Sequence, residues 1–159
     1  MVLRYCNKLV LISLILVMMN LNGSANASDV SARVVGVEGI VSVIREGNTT
    51  PITRGESLYK SDRITTEENA SIELKLLDGS LINLGELADL TIMELVFDPV
   101  KKDGFNDLKI TTGAFRLISG SLAKLGPDLM KLDTPVATIG IRGTSLVGKA
   151  SAVGSENHV

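Results

Sequence analysis

The stretch Ser71-Ile72-Glu73-Leu74-Lys75-Leu76 sets the strongest limit on what this chain can become. Ile72, Leu74 and Leu76 fall on one side of an extended backbone, and Ser71, Glu73 and Lys75 on the other. Strict alternation of this kind describes a half-buried β-strand and does not fit a helix, whose apolar stripe repeats every 3.6 residues. Asp78-Gly79 follows, a pair suited to a turn, and the apolar pattern restarts at Leu81 to Leu84. The chain therefore doubles back here as a hairpin or tight corner.

Strand character recurs from Ala32 onward. Further strands are predicted at Arg33 to Val37, Ile40 to Arg45, Arg63 to Thr66, Thr91 to Phe97, Leu108 to Thr112 and Phe115 to Ser119. Met130 to Asp133, Ala137 to Ile141 and Ser145 to Val147 complete the set. The separators are rich in turn residues: Glu46-Gly47-Asn48, Arg54-Gly55, Asp98-Pro99, Asp103-Gly104 and Gly126-Pro127-Asp128. Many short strands with closely spaced turns predict an all-β domain, solenoid-like or roll-like, with a β-sandwich as the alternative. The best helical candidate is a single turn near Leu87-Ala88-Asp89. Predicted core residues are Ile72, Leu74, Leu76, Phe115, Leu117, Ile139 and Ile141, with Glu73, Lys75 and Arg116 outside.

Twice the inward-facing parity changes. Leu108, Ile110 and Thr112 share one parity and Phe115 and Leu117 the other, with the change at Gly113-Ala114. Ala137, Ile139 and Ile141 share a parity that Leu146 breaks, after Gly143-Thr144. A glycine bend or bulge at each site, with positive φ, would keep both halves on the core.

The first 27 residues differ from the rest. Arg4 and Lys8 precede an apolar run from Leu9 to Met19, and small polar residues close with Ala25-Asn26-Ala27. This is the order of a secretory signal peptide, and the run is much shorter than the roughly 20 residues a membrane span requires. The expected organisation is a cleavable signal at 1–27, a β domain at 28–147 and a polar, flexible C-terminal tail at 148–159. Export to the periplasm or beyond follows. The single cysteine, Cys6, lies in the signal, so disulfides are not expected in the mature chain and the core must hold the fold.

Chemistry is sparse. The sole histidine, His158, sits beside the C-terminus. Nucleophilic catalysis needs a base within reach of an activated nucleophile; a serine with a lysine could offer one, for instance Ser121 with Lys124, but such pairs are common by accident. Glu67-Glu68, Glu86 with Asp89, Asp98 with Asp103, and Asp128 with Asp133 pair carboxylates, but beside turn residues, where acids serve local hydrogen bonding. The segment 98–104 places Lys101 and Lys102 where a calcium loop would need oxygen ligands. No catalytic, cofactor or metal site is expected. Removing Arg4 and Lys8 leaves 14 basic and 18 acidic residues, interspersed. With no basic stripe, nucleic acid is not an expected partner. Arg142-Gly143-Thr144 is the one candidate interaction site, a charge at a glycine corner; the plainer reading is an arginine that pairs with an acid or caps strand-end carbonyls.

An ordered set of segments resembles a known family. It runs from Val35 through Val37-Glu38-Gly39-Ile40-Val41-Ser42-Val43, then Ile52-Thr53-Arg54-Gly55-Glu56-Ser57-Leu58 and Ser61-Asp62-Arg63-Ile64-Thr65-Thr66. Ala70-Ser71-Ile72-Glu73-Leu74, Leu77-Asp78-Gly79-Ser80 and Gly113-Ala114-Phe115-Arg116 follow. Thr134-Pro135-Val136-Ala137-Thr138-Ile139-Gly140-Ile141-Arg142-Gly143-Thr144 closes it. Together they resemble the FecR domain of bacteria over about Val34 to Val147. The resemblance implies a β-rich, solenoid-like fold in the cell envelope and a relative of inner-membrane regulators that relay an outer-membrane receptor's state to a sigma factor. Eight residues precede the apolar run, too few for a sigma-factor-binding region. The expected role is thus an exported, non-enzymatic interaction module that binds an envelope protein or polymer through a sheet face or edge. The alternative is an envelope signalling component related to sigma-factor regulators.

Overall fold

The computed structural model describes residues 30–126, 128–143 and 145–151. The expected signal peptide and residues 152–159 lie outside these. The alternating segment forms β6 (Ser71–Leu76), with Ile72, Leu74 and Leu76 buried. It turns through Gly79, at φ +84, into β7 (Leu81–Leu84), and Lys75 pairs with Leu81 at the closed end. On its other side β6 pairs with β1 (Val30–Glu38), whose register shifts by one residue between Val34 and Gly36. β4 (Ser57–Tyr59) completes that edge of the sheet.

The rest of the chain builds the opposite end. β2 (Val41–Arg45) and β3 (Asn48–Pro51) form a hairpin across Glu46 and Gly47, whose φ values are +51 and +82. Positive φ at both central residues matches the right-handed twist of the flanking strands. β5 (Arg63–Thr66) joins β2 to β8 (Asp89–Asp98), and β8 pairs with β9 (Asp103–Ile118). The strand order is β3-β2-β5-β8-β9-β7-β6-β1-β4. β10 (Met130–Asp133) runs parallel to the first part of β9 and carries β11 (Thr138–Gly140), while β12 (Ser145–Ala150) lies antiparallel to the last part.

This is one antiparallel sheet curled around a single core, with β9–β10 as its only parallel ladder among the described residues. A solenoid stacks its coils through parallel ladders, so of the expected paths the rolled sheet describes the molecule. The expected core residues Ile72, Leu74, Leu76, Phe115, Leu117 and Ile141 are buried, and Ile139 packs half-buried against them. Lys75 and Arg116 are exposed, Glu73 partly so.

Strand β9 explains the first parity change. Asn106, Leu108 and Ile110 point inward before the change; Gly113, Phe115 and Leu117 do so after it. Asp89 pairs with Thr112 and Leu90 with Ile110, so Thr111 is an extra residue on β9. That bulge flips the faces, and Gly113 follows at φ +98. Before it β9 pairs with β8 and β10, after it with β7 and β12. A Cβ at Gly113 would lie 2.4 Å from the Cα and Cβ of Ala88, so the corner admits only glycine without displacement. The backbone ladder survives the bend, which is why two expected strands are one.

Three expectations are corrected. The turn near Leu87-Ala88-Asp89 is not helical: Leu87 is left-handed at φ +53 and Asp89 opens β8. The one helical turn among the described residues is α1 (Leu122–Leu125), with Leu122 and Ala123 buried. Asp103-Gly104 is not a separator but the start of β9, the turn itself being 99–102. β12 continues through Ala150, three residues beyond the domain end expected at 147.

Candidate interaction surface

The second parity change leads to a strand at the edge of the sheet. Beyond β11 the buried Ile141 donates its backbone N–H to the Met130 carbonyl at 2.9 Å, which anchors the chain before it turns. Arg142 and Gly143 are exposed, and Gly143 adopts φ +149. The Gly143 carbonyl accepts a hydrogen bond from the Ser119 hydroxyl. No atom outside the neighbouring residues lies within 4 Å of where a Cβ would sit on Gly143. The Arg142 guanidinium makes no hydrogen bond or ion pair with another described residue, so its charge faces solvent. Thr144 lies outside the described residues.

β12 then pairs with β9 from Ser145 opposite Ile118 to Ala150 opposite Gly113. Leu146 packs against the core and Ala150 is buried, whereas Val147 and Lys149 point outward, Val147 being 63% exposed. Its second edge pairs with no described strand. Among the described strands the other edges are β3, β4 and β11, of four, three and three residues, against six in β12. β3 also ends in Pro51, which cannot donate a backbone hydrogen bond. β12 is therefore the longest strand with a single neighbour along its whole length, while Met93–Asp98 of β8 also pairs only with β9; Lys149 is the kind of charge that keeps such an edge from indiscriminate pairing.

Two openings lie on this half of the sheet, the first of them beside β12. One, of about 320 Å³, is lined by Leu87, Thr112, Gly113, Ala114, Lys149 and Ala150. The other, of about 410 Å³, lies across the outer face of the same half-sheet over Gly36, Glu73 and Asn83. Neither encloses a converging set of catalytic groups.

The sequence-level catalytic candidates are dispersed into turns. Glu86 accepts from the Asn69 N–H at 2.9 Å, and Asp89 instead binds the Arg63 guanidinium. Asp98 accepts from the N–H groups of Val100 and Lys101, and these bonds, Lys101 first, hold its carboxyl below the usual range. Asp103 accepts from the Gly104 N–H, and Asp133 from the Thr138 hydroxyl. Ser121 and Lys124 meet through backbone atoms, Lys124 N–H to Ser121 carbonyl at 3.2 Å. No group of three or more metal-ligating side chains occurs among the described residues.

Two buried polar nodes were not singled out by residue-level reasoning, though both lie in the family-like segments. Asp62 is buried, binds Arg45 through both carboxylate oxygens at 2.8 and 2.7 Å, and accepts from the Tyr59 N–H. Asp78 and Ser80, also buried, tie the β6–β7 turn to the start of α1: Ser80 Oγ donates to Asp78 and accepts from the Gly120 N–H, and Ser121 N–H donates to the Asp78 carbonyl. A third group is unsatisfied. Both amide atoms of the fully buried Asn106 lack a partner among the described residues, as does Oδ1 of neighbouring Asp107. Burial, then the Asp133 charge, raises the Asp107 carboxyl above its ordinary value.

The rolled antiparallel sheet with a free terminal edge defines an all-β domain. Residues 62–159 match the model of the FecR protein family, so the chain belongs to that family, a regulatory, non-enzymatic family associated with the bacterial envelope. The match begins at Asp62, so the Val35–Ser61 part of the resemblance lies ahead of it. No curated protein and no solved structure matches the chain. No helix among the described residues is long and apolar enough to cross a membrane.

Proposed function

We infer that this chain is an exported, non-enzymatic interaction module of the bacterial envelope, and that its partner, a protein or an envelope polymer, docks at the β12 edge. The observation that carries this reading is the six-residue edge with one neighbour, presented beside an unpaired Arg142. A strand added there gains main-chain hydrogen bonds, while Val147 and Lys149 on its outer face supply side-chain discrimination. The absence of catalysis is supported by the family and by the separate local hydrogen bonds that engage Glu86, Asp89, Asp98, Asp103 and Asp133. Periplasmic or secreted placement is supported by the basic, apolar and Ala-Asn-Ala order of the first 27 residues.

Site-specific photo-crosslinking in the native envelope tests this. A crosslinker at Val147 should capture a discrete partner, and one at Thr50 on β3 should not. Equal capture at both positions, or none at Val147, removes β12 as the docking edge. Family membership favours a second reading, an envelope signalling component that passes its state to a sigma factor through a separate partner. Deleting the chain would then change sigma-factor-dependent transcription; unchanged transcription leaves the interaction module alone.

A further inference from the structure

The charges carried by β12 and its two nearest neighbours are of one sign. Lys149 points outward from β12, and Arg116 stands beside Val147 on β9. Arg142 is exposed at the corner through which the chain enters β12. No carboxylate occurs in β12, in β7, or in β9 from Gly113 to Ile118. The other outward charges of this half-sheet, Arg33, Glu38, Glu73 and Lys75, stand on β1 and β6, three or four strands from β12, and Arg54 lines the groove over Gly36. Glu86 lines the opening at the end of β12, where the Asn69 N–H already donates to it. The side chains of Arg116, Arg142 and Lys149 make no hydrogen bond or ion pair with another described residue.

Backbone chemistry selects among anionic ligands. N–H and C=O groups alternate along a free strand edge, and each is satisfied only by its opposite. A polyanion offers acceptors and leaves the carbonyls unmet, whereas an extended peptide meets both. On the inner side of β12, Leu146 is half-buried and Gly148 has no side chain, so an added strand covers them with apolar residues. The opening of about 320 Å³, beside exposed Leu87 and lined by Ala114 and Ala150, takes a further apolar side chain. On the outer side, the added residues lie next to Val147 and Lys149, where a carboxylate gains a cationic neighbour.

We propose that the β12 edge takes an extended acidic peptide segment of its partner, in which apolar residues alternate with carboxylates, bound as an added strand with its acids on the outer face. The proposal rests on the reading of β12 as the docking edge and narrows the partner to a protein. Opposite charges on neighbouring strands favour this register. A slip by one residue would turn the carboxylates toward Leu146 and the core, so the alternation also fixes it. The ion pairs are exposed, and binding therefore weakens as salt rises.

Amide hydrogen exchange and affinity measurements on the full chain test this with four probes. Three are blocked peptides of equal length in which valine alternates with glutamate, glutamine or lysine; the fourth is dextran sulfate, a polyanion without amides. The glutamate peptide should slow the outward-pointing amides of β12 and bind about tenfold or more tightly than the lysine peptide, because exposed attraction is exchanged for like-charge contact. Lys149→Glu should shift the preference toward the lysine peptide. A shift in preference, unlike a loss of binding, cannot come from misfolding. Equal binding of the three peptides at β12 would keep the docking edge and overturn its selectivity for acids. Dextran sulfate slowing the same amides as strongly as the glutamate peptide would overturn strand addition in favour of a polymer. No slowing at β12 by any peptide would also overturn the proposal, and the docking edge itself would then stand or fall with the Val147 crosslink.

Discussion

The two glycine corners carry the same sequence signal and sit in opposite surroundings. Gly113 lies within β9, buried, with Ala88 where its side chain would be; Gly143 lies between β11 and β12, exposed, with open space around it. Both pass the chain from one end of the rolled sheet to the other, and both hold positive φ. The first closes the core by letting Ile110 and Phe115 face the same interior. The second delivers an edge strand to the surface beside an exposed arginine. A parity change at glycine thus marks where the sheet turns, and packing around the glycine decides whether the turn serves the core or the surface.

The comparison breaks most readily at Gly113. Gly113→Val combines positive-φ strain with overlap against backbone, and should destabilise by about 3 kcal/mol or more. Gly143→Val meets strain alone and should cost about 1 kcal/mol. Chemical denaturation of the two variants checks both; equal losses would mean that the corners do not differ as described.

The smallest effect concerns Asp107, on β9 beside the strand that holds the second corner. Asp107 faces Glu94 on β8 and Lys131 on β10, with Asp133 close by. Its folded carboxyl titrates above the ordinary value, so its contribution favours folding only when protonated and is lost as pH rises through the folded pKa. Asp107→Asn should therefore melt higher than wild type at pH 7, with the gap closing as pH falls below the usual carboxylate range. A gap that is constant with pH would remove the titration of Asp107 as its source.

Much of this architecture was legible because alternation is a direct record of one-sided burial. β5, β6, β7 and β10 were read with their observed limits, and both glycines hold positive φ, although the first change of face falls at the Thr111 bulge, two residues ahead of the expected Gly113. What escaped had no such record. β3 is exposed along its whole length and exists because the Glu46-Gly47 turn presents it to β2. β4 has three residues and α1 four, too few to display a period. The candidate surface was half legible. Arg142 and Gly143 stood out as a charge at a corner, but that β12 is an edge depends on which strands pair with β9, a non-local fact that no local pattern encodes. The buried Asp62 and Asp78 were hidden for a related reason: an acid in a turn reads as solvated until its distant partners are known.

Amide hydrogen exchange on the free protein tests most directly that β12 is an open edge on a closed core. Phe115 to Ile118 of β9 lie between β7 and β12, so all of their amides should exchange slowly. Along β12 protection should alternate, slow where the N–H points to β9 and fast where it points outward. Uniformly slow exchange along β12 would show a second strand already paired there, and would contradict the account.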